Sequence, residues 1–175
     1  MALREKIVIA GFSGSGKSTF LKELKTSAPI DWTHFDDLDD LVFQKYGQGF
    51  SNLAQLINQV GWEQFRKWER AELDSWLKLE EKGVLALGGG ALSPLVWETY
   101  SASRRIEFCV MDADFETCWN RLTQTGAQER PLVQRGKTEL FNIFLERQVV
   151  FDKIKRRISS DLKLEATKLW VELSR

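Results

Sequence analysis

The chain has 175 residues, 43% of them hydrophobic and 29% charged, enough for one domain with a sizeable core. Lys plus Arg equals Asp plus Glu at 25 each, so the net charge is zero. A general nucleic-acid binder, which carries a basic excess, finds no support in that balance, and any anion site has to be a local cluster. No apolar run is long enough to span a membrane and no charged-then-apolar signal opens the chain, so a cytoplasmic, soluble protein is expected. The two cysteines, Cys109 and Cys118, read as packing groups, and the seven tryptophans fall mostly at helix-like spacing and read as core.

Taken in chain order, Lys6–Ala10 (KIVIA) is a short β-rich run ending at Gly11. Thr19, Phe20, Leu21 and Leu24 then follow a helical pattern. Strand, glycine loop and helix are the opening of an α/β domain. A second strand is predicted at Trp32–Phe35, followed by helices at Asp40–Tyr46, Asn52–Val60 and Trp62–Leu79. Val84–Leu87 is a third strand entering three glycines, and Arg105–Met111 a fourth, with a helix over Phe115–Leu122 behind it. Thr123–Arg135 is polar and reads as a mobile loop, and Thr138–Arg157 as a helix. Asp161–Glu165 is assigned as a short final strand and Thr167–Leu173 as the last helix. Alternating strands and helices predict a parallel sheet covered on both faces.

Gly11-Phe12-Ser13-Gly14-Ser15-Gly16-Lys17-Ser18 fits G-x-x-x-x-G-K-[ST] without a mismatch, between a strand and a helix. Glycines let the backbone curl so that several N–H groups point at one anion, and the helix that starts there adds its positive end. Lys17 is expected to reach the β- and γ-phosphates of ATP, and the Ser18 hydroxyl to hold Mg²⁺. Gly14, Ser15, Gly16, Lys17, Ser18 and Thr19 are therefore the candidate ATP-binding residues. This loop names the cosubstrate but not the acceptor.

Three further constellations bear on the acceptor. His34-Phe35-Asp36-Asp37-Leu38-Asp39-Asp40 ends the second strand, in the crevice beside the phosphate loop. Carboxylates there can hold Mg²⁺ through water or accept a proton from an attacking hydroxyl, and a solvated acidic turn is the plain alternative. Arg66 and Glu69, three apart on a helix, form either a pre-oriented carboxylate clamp or an ordinary solvated surface pair. Gly88-Gly89-Gly90 stands where many phosphate-loop enzymes carry an acid, and glycines bring bare N–H groups close to a ligand. The missing acid shifts the metal-holding role toward Asp37.

As a set these elements resemble the shikimate kinase family, which combines a phosphate loop, D-x-D, F-R-x-x-E, G-G-G, an R-P-L lid and a late Arg. The chain shows Asp37-Leu38-Asp39, Phe65-Arg66-Lys67-Trp68-Glu69, Gly88-Gly89-Gly90, Arg130-Pro131-Leu132 and Arg147 in that order, and Asp161–Ala166 is similar to the family's final strand segment. The chain departs from the pattern at Phe43 (usually Glu), Val149 (usually Pro) and Phe151 (usually Tyr). The turn after Glu165, which in the family lies near adenine, is short.

The resemblance implies a single-domain α/β fold: a three-layer α/β/α phosphate-loop kinase of the nucleoside monophosphate kinase-like type with a five-stranded parallel sheet. Within residues 1–175 it implies a lid at about 123–135 and a substrate-binding helical region at about 37–80. It implies transfer of the γ-phosphate of ATP to the 3-hydroxyl of shikimate, with Mg²⁺, by a monomer, in aromatic amino acid biosynthesis. Asp39, Arg66, Gly88, Gly89, Gly90 and Arg147 would bind the acceptor, with Arg66 and Arg147 on its carboxylate and Asp39 on its ring hydroxyls. Asp37 would place Mg²⁺ through water and assist as base, Arg130 would swing in over the phosphates, and Arg121 would lie against adenine. Two other readings stay open: a related kinase for another polar acceptor, such as gluconate or a nucleoside monophosphate, and a nucleotide-binding module without transfer activity.

Overall fold

The structure is a computed structural model that describes residues 4–124 and 133–174. Five strands, β1 (Lys6–Ala10), β2 (Trp32–Asp37), β3 (Lys82–Ala86), β4 (Ile106–Met111) and β5 (Arg156–Ile158), form one sheet in the order β2-β3-β1-β4-β5. Every neighbouring pair is parallel. The expected five-stranded parallel α/β architecture is the one observed.

β1 is buried along its whole length, and its side chains divide by parity between two cores. Val8 and Ala10 join Leu85, Val110, Leu73, Phe115 and Phe151 on one face. Ile7 and Ile9 join Phe20, Leu24, Met111, Leu169 and Trp170 on the other. The first core is closed by α3 (Leu53–Leu77), α4 (Pro94–Tyr100), α5 (Phe115–Gln124) and α6 (Lys137–Phe151), and the second by α1 (Lys17–Thr26) and α7 (Leu162–Leu173). The short helix α2 (Leu38–Tyr46) follows β2 directly, with Asp37 as its cap: the Asp39 N–H donates to Asp37 Oδ1 at 3.1 Å. Among the described residues no helix is long and apolar enough to cross a membrane.

The two helices expected either side of Gly61 are continuous in space but kinked at that residue, whose φ of 81° and ψ of 159° leave the helical region. Only glycine adopts such a conformation at no steric cost. The short helix α4 is absent from the expectation, although Ser93 as cap and Pro94 in the first turn are its ordinary signals.

The C-terminal assignment is corrected. Residues 161–165 are not a strand. Asp161 caps α7, accepting from the Leu164 N–H at 3.2 Å, and Ala166, Leu169 and Trp170 then bury at helical spacing. The last strand is instead Arg156–Ile158, inside a stretch read as helix, and α6 ends at Phe151. Arg156 and Arg157 hide the strand in the sequence because their charges are paired locally. Arg156 binds Glu107 at 2.9 Å and also Glu172, and Arg157 binds Asp112 at 3.2 Å and Asp152 at 2.7 Å. A charged edge strand of this kind also resists further pairing. The lid expected at about 123–135 falls largely on residues outside those described.

Candidate active site

The loop from Gly11 to Ser18 joins β1 to α1, and Gly16, in a left-handed conformation with φ of 103°, caps the helix. Lys17 is buried. Its ammonium donates to the carbonyls of Gly11 at 3.0 Å and Phe12 at 2.9 Å, across the mouth of the loop. Burial pulls its pKa below the ordinary lysine value, opposed by the charges of Asp39 and Asp37. The Ser18 hydroxyl donates to Asp37 Oδ2 at 2.8 Å, so the two groups expected to serve a metal are adjacent. A hydroxyl beside a carboxylate is an oxygen donor set that suits Mg²⁺. Among the described residues no cluster of three or more His, Cys, Asp or Glu could hold a metal by itself. A metal here therefore fits one carried largely by phosphate oxygens.

Arg121, at the end of α5, donates to the Gly14 carbonyl at 3.2 Å and closes one side of a cleft of about 520 Å³. Gly16, Thr19, Asp112, Thr117, Ser159 and Ser160 stand around the same cleft. The turn that lines this cleft is the one between β5 and α7, with Ser159 and Ser160, whereas Glu165 lies inside α7 and opens no turn. The sequence reading misses Ser159 and Ser160 because it misplaces the strand before them.

The triple glycine continues β3 next to this loop, with the Leu87 N–H donating to Ile9 O at 2.9 Å. Bare backbone is required there by what surrounds it. A Cβ at Gly90 would lie 2.5 Å from Arg66 Nη2 and 2.8 Å from Arg147 Nη2. At Gly88 it would strike Asp39 Oδ1 and Glu69 Oε1, and at Gly89 it would strike Ser13 Oγ and come within 2.9 Å of Ser13 N. Asp39, Arg66, Glu69 and Arg147 therefore meet on three consecutive glycines, one of which touches the phosphate loop.

Asp39, Arg66 and Arg147 are half-buried here, and Glu69 is held out of water. Glu69 is 2% exposed and ion-paired with Arg66, so the pair is not an ordinary solvated surface pair. Glu69 Oε1 and Arg147 Nη1 are buried without a hydrogen-bond partner among the described residues. Such orphaned polar atoms are costly unless a ligand completes them. Burial pushes Glu69 above the ordinary carboxylate value, against the pull of Arg66. Burial, reinforced by the charges of Glu69 and Asp37, pushes Asp39 up to about 7. Burial and the neighbouring Arg66 pull Arg147 down to about 10, and its guanidinium lies 5.1 Å from the Phe12 ring centroid. Arg130 lies outside the described residues.

Residues 13–173 match the family model described as shikimate kinase. The chain belongs to the shikimate kinase family. The shikimate kinase of Lactococcus lactis is 30% identical over 164 residues, covering 92% of this chain and 88% of the relative. That of a Sulfurihydrogenibium species is 28% identical over 159 residues, covering 91% and 90%. Among solved structures, Aquifex aeolicus shikimate kinase superposes with a TM-score of 0.76 at 26% identity, covering 97% of this chain and 96% of that one. Acinetobacter baumannii shikimate kinase, solved with shikimate, shares the fold with a TM-score of 0.80 at 21% identity, covering 98% and 94%. As a shikimate kinase family member the chain is an ATP-dependent phosphotransferase.

Proposed function

We propose that this chain transfers the γ-phosphate of ATP to the 3-hydroxyl of shikimate, giving shikimate 3-phosphate and ADP. The observation that carries the reading is the meeting of the Arg66 and Arg147 guanidiniums and the Asp39 carboxylate on Gly88–Gly90, against Ser13 of the phosphate loop. A small ring bearing one carboxylate and several hydroxyls matches that set. The Nη2 atoms of Arg66 and Arg147 hold the carboxylate, Asp39 accepts from ring hydroxyls, and the backbone of Gly89 and Gly90 lies against the ring.

The loop from Gly14 to Thr19 wraps the phosphates with backbone N–H groups, and Arg121 lies toward the base in the cleft it helps to form. Lys17 exchanges the carbonyls of Gly11 and Phe12 for phosphate oxygens when nucleotide enters. Ser18, directly, and Asp37, through water, would hold Mg²⁺; when bound, the ion supplies positive charge to the β- and γ-phosphate oxygens. As the acceptor oxygen bonds to phosphorus and the bridge to ADP breaks, Asp37 takes up the hydroxyl proton. Arg130 is assigned, on its place in the sequence pattern, to the charge on the transferring group. The enzyme is proposed to act as a monomer, which sedimentation velocity checks.

Coupled ADP release with MgATP and shikimate tests the reading. Turnover well above the ATPase background is expected, and none from folded protein overturns it. Arg66→Ala is expected to raise the shikimate KM by roughly 10- to 100-fold, the range for a lost hydrogen bond to a charged group, with ATP binding kept.

A further inference from the structure

Arg66 has a neighbour that the acceptor chemistry does not demand. Its Cζ lies 5.0 Å from the centroid of the Trp62 ring and 5.6 Å from that of Phe65. These two rings form an edge-to-face pair at 5.9 Å and 84°. Phe65 is buried, whereas Trp62 remains partly exposed, so hydrophobic burial alone does not account for an indole at this position. Trp62 opens the second half of α3 immediately after the Gly61 kink, one turn before Arg66, and Glu69 stands on the following turn.

The two restraints on the guanidinium differ in kind. Glu69 accepts from Nη1, which uses a donor and offsets charge. Its ionisation is also opposed by burial. An indole face attracts the same cation without consuming an N–H and without neutralising it. The Arg66 Nη2 atom, with that of Arg147, stays directed at Gly90, where the carboxylate is proposed to bind. Two guanidiniums side by side repel each other, so a non-titrating attraction that fixes the plane of one of them has a definite use.

We propose that Trp62 is a positioning residue: its ring holds the Arg66 guanidinium in the plane that receives the acceptor's carboxylate, and so sets acceptor affinity without touching the reacting atoms. This rests on the assignment of Arg66 to the carboxylate. The test compares Trp62→Leu, which keeps apolar bulk but has no π face, with Trp62→Phe, which keeps a ring. Shikimate binding is measured by calorimetry and turnover by steady-state kinetics. Trp62→Leu is expected to raise the shikimate Kd and KM by about 3- to 30-fold, the range for a cation–π contact, with kcat and ATP KM within about twofold. Trp62→Phe is expected to recover most of the loss. Equal behaviour of the two variants, an unchanged shikimate Kd, or a parallel change in ATP KM overturns the inference. Should the leucine variant fail to fold, Trp62→Met supplies the same contrast. A wild type that neither binds nor phosphorylates shikimate overturns the acceptor assignment itself, and this inference with it. A wild type active on shikimate with an indifferent Trp62→Leu overturns this inference alone.

Discussion

The phosphate cradle is one unbroken segment, Gly11 to Ser18, and it works mainly through backbone. The proposed acceptor corner draws Asp39, Arg66 and Arg147 from distant parts of the chain onto Gly88–Gly90, around the buried carboxylate of Glu69. The cradle rests with its lysine already satisfied by two carbonyls. The corner rests with polar atoms of Glu69 and Arg147 unpartnered among the described residues. On the proposed function, a site built this way would bind the triphosphate by shape and recognise the second substrate by completing charges that folding has left incomplete.

If the two regions are separable, damage to each has its own kinetic signature. The largest effect is expected at Lys17. Lys17→Met removes the charge proposed to turn from the Gly11 and Phe12 carbonyls to the phosphates, and is expected to lower kcat by about 10²–10³-fold, while shikimate binding measured by calorimetry survives. A comparable loss of shikimate binding would show that the regions are not independent.

Gly90→Ala comes next. The new Cβ would stand 2.5 Å and 2.8 Å from the two guanidinium nitrogens, so one of them has to move. The shikimate KM is expected to rise about tenfold or more, by the same lost charge-assisted contacts, with ATP KM unchanged.

A smaller effect is read in pH. Asp39, raised to about 7, binds its proton more tightly in the folded chain than in the unfolded one. Its contribution to stability is therefore complete below the ordinary carboxylate value of about 4 and declines as pH rises through 7. Acceptor use runs the other way, because the ionised carboxylate is the better partner for ring hydroxyls. The kcat/KM for shikimate is expected to climb between about pH 6 and 8, and Asp39→Asn is expected to lose that limb.

The smallest effect is structural. Asp161→Ala removes the cap of α7 and is expected to lower the melting temperature by about 2–4 °C while leaving the shikimate KM alone. A strand at 161–165 would give no such cap effect.

The same contrast explains what could be read from the sequence. The cradle was legible because its chemistry is contiguous, and the alternation of strands and helices gave the parallel sheet. Around Gly88–Gly90 the residues were legible by their resemblance to a family pattern. The residues alone left Arg66 and Glu69 as either a clamp or a solvated pair. What rules out the solvated pair is the burial of Glu69, a property of the packed chain that spacing does not carry. Trp62 was read as core because an indole at helical spacing usually is, although at i, i+4 from Arg66 it shares a helix face with the guanidinium. Arg156 and Arg157 concealed β5 because two adjacent charges suit a strand only when Glu107 and Asp112 wait beside it.

The central claim is that Arg66 and Arg147 select the acceptor by its carboxylate. The most direct measurement compares shikimate with its methyl ester as phosphate acceptors for the wild-type enzyme, at saturating MgATP. Efficient transfer to the acid, with a KM at least about tenfold higher for the ester, is the predicted result. Equal use of acid and ester, or transfer to neither, would contradict it.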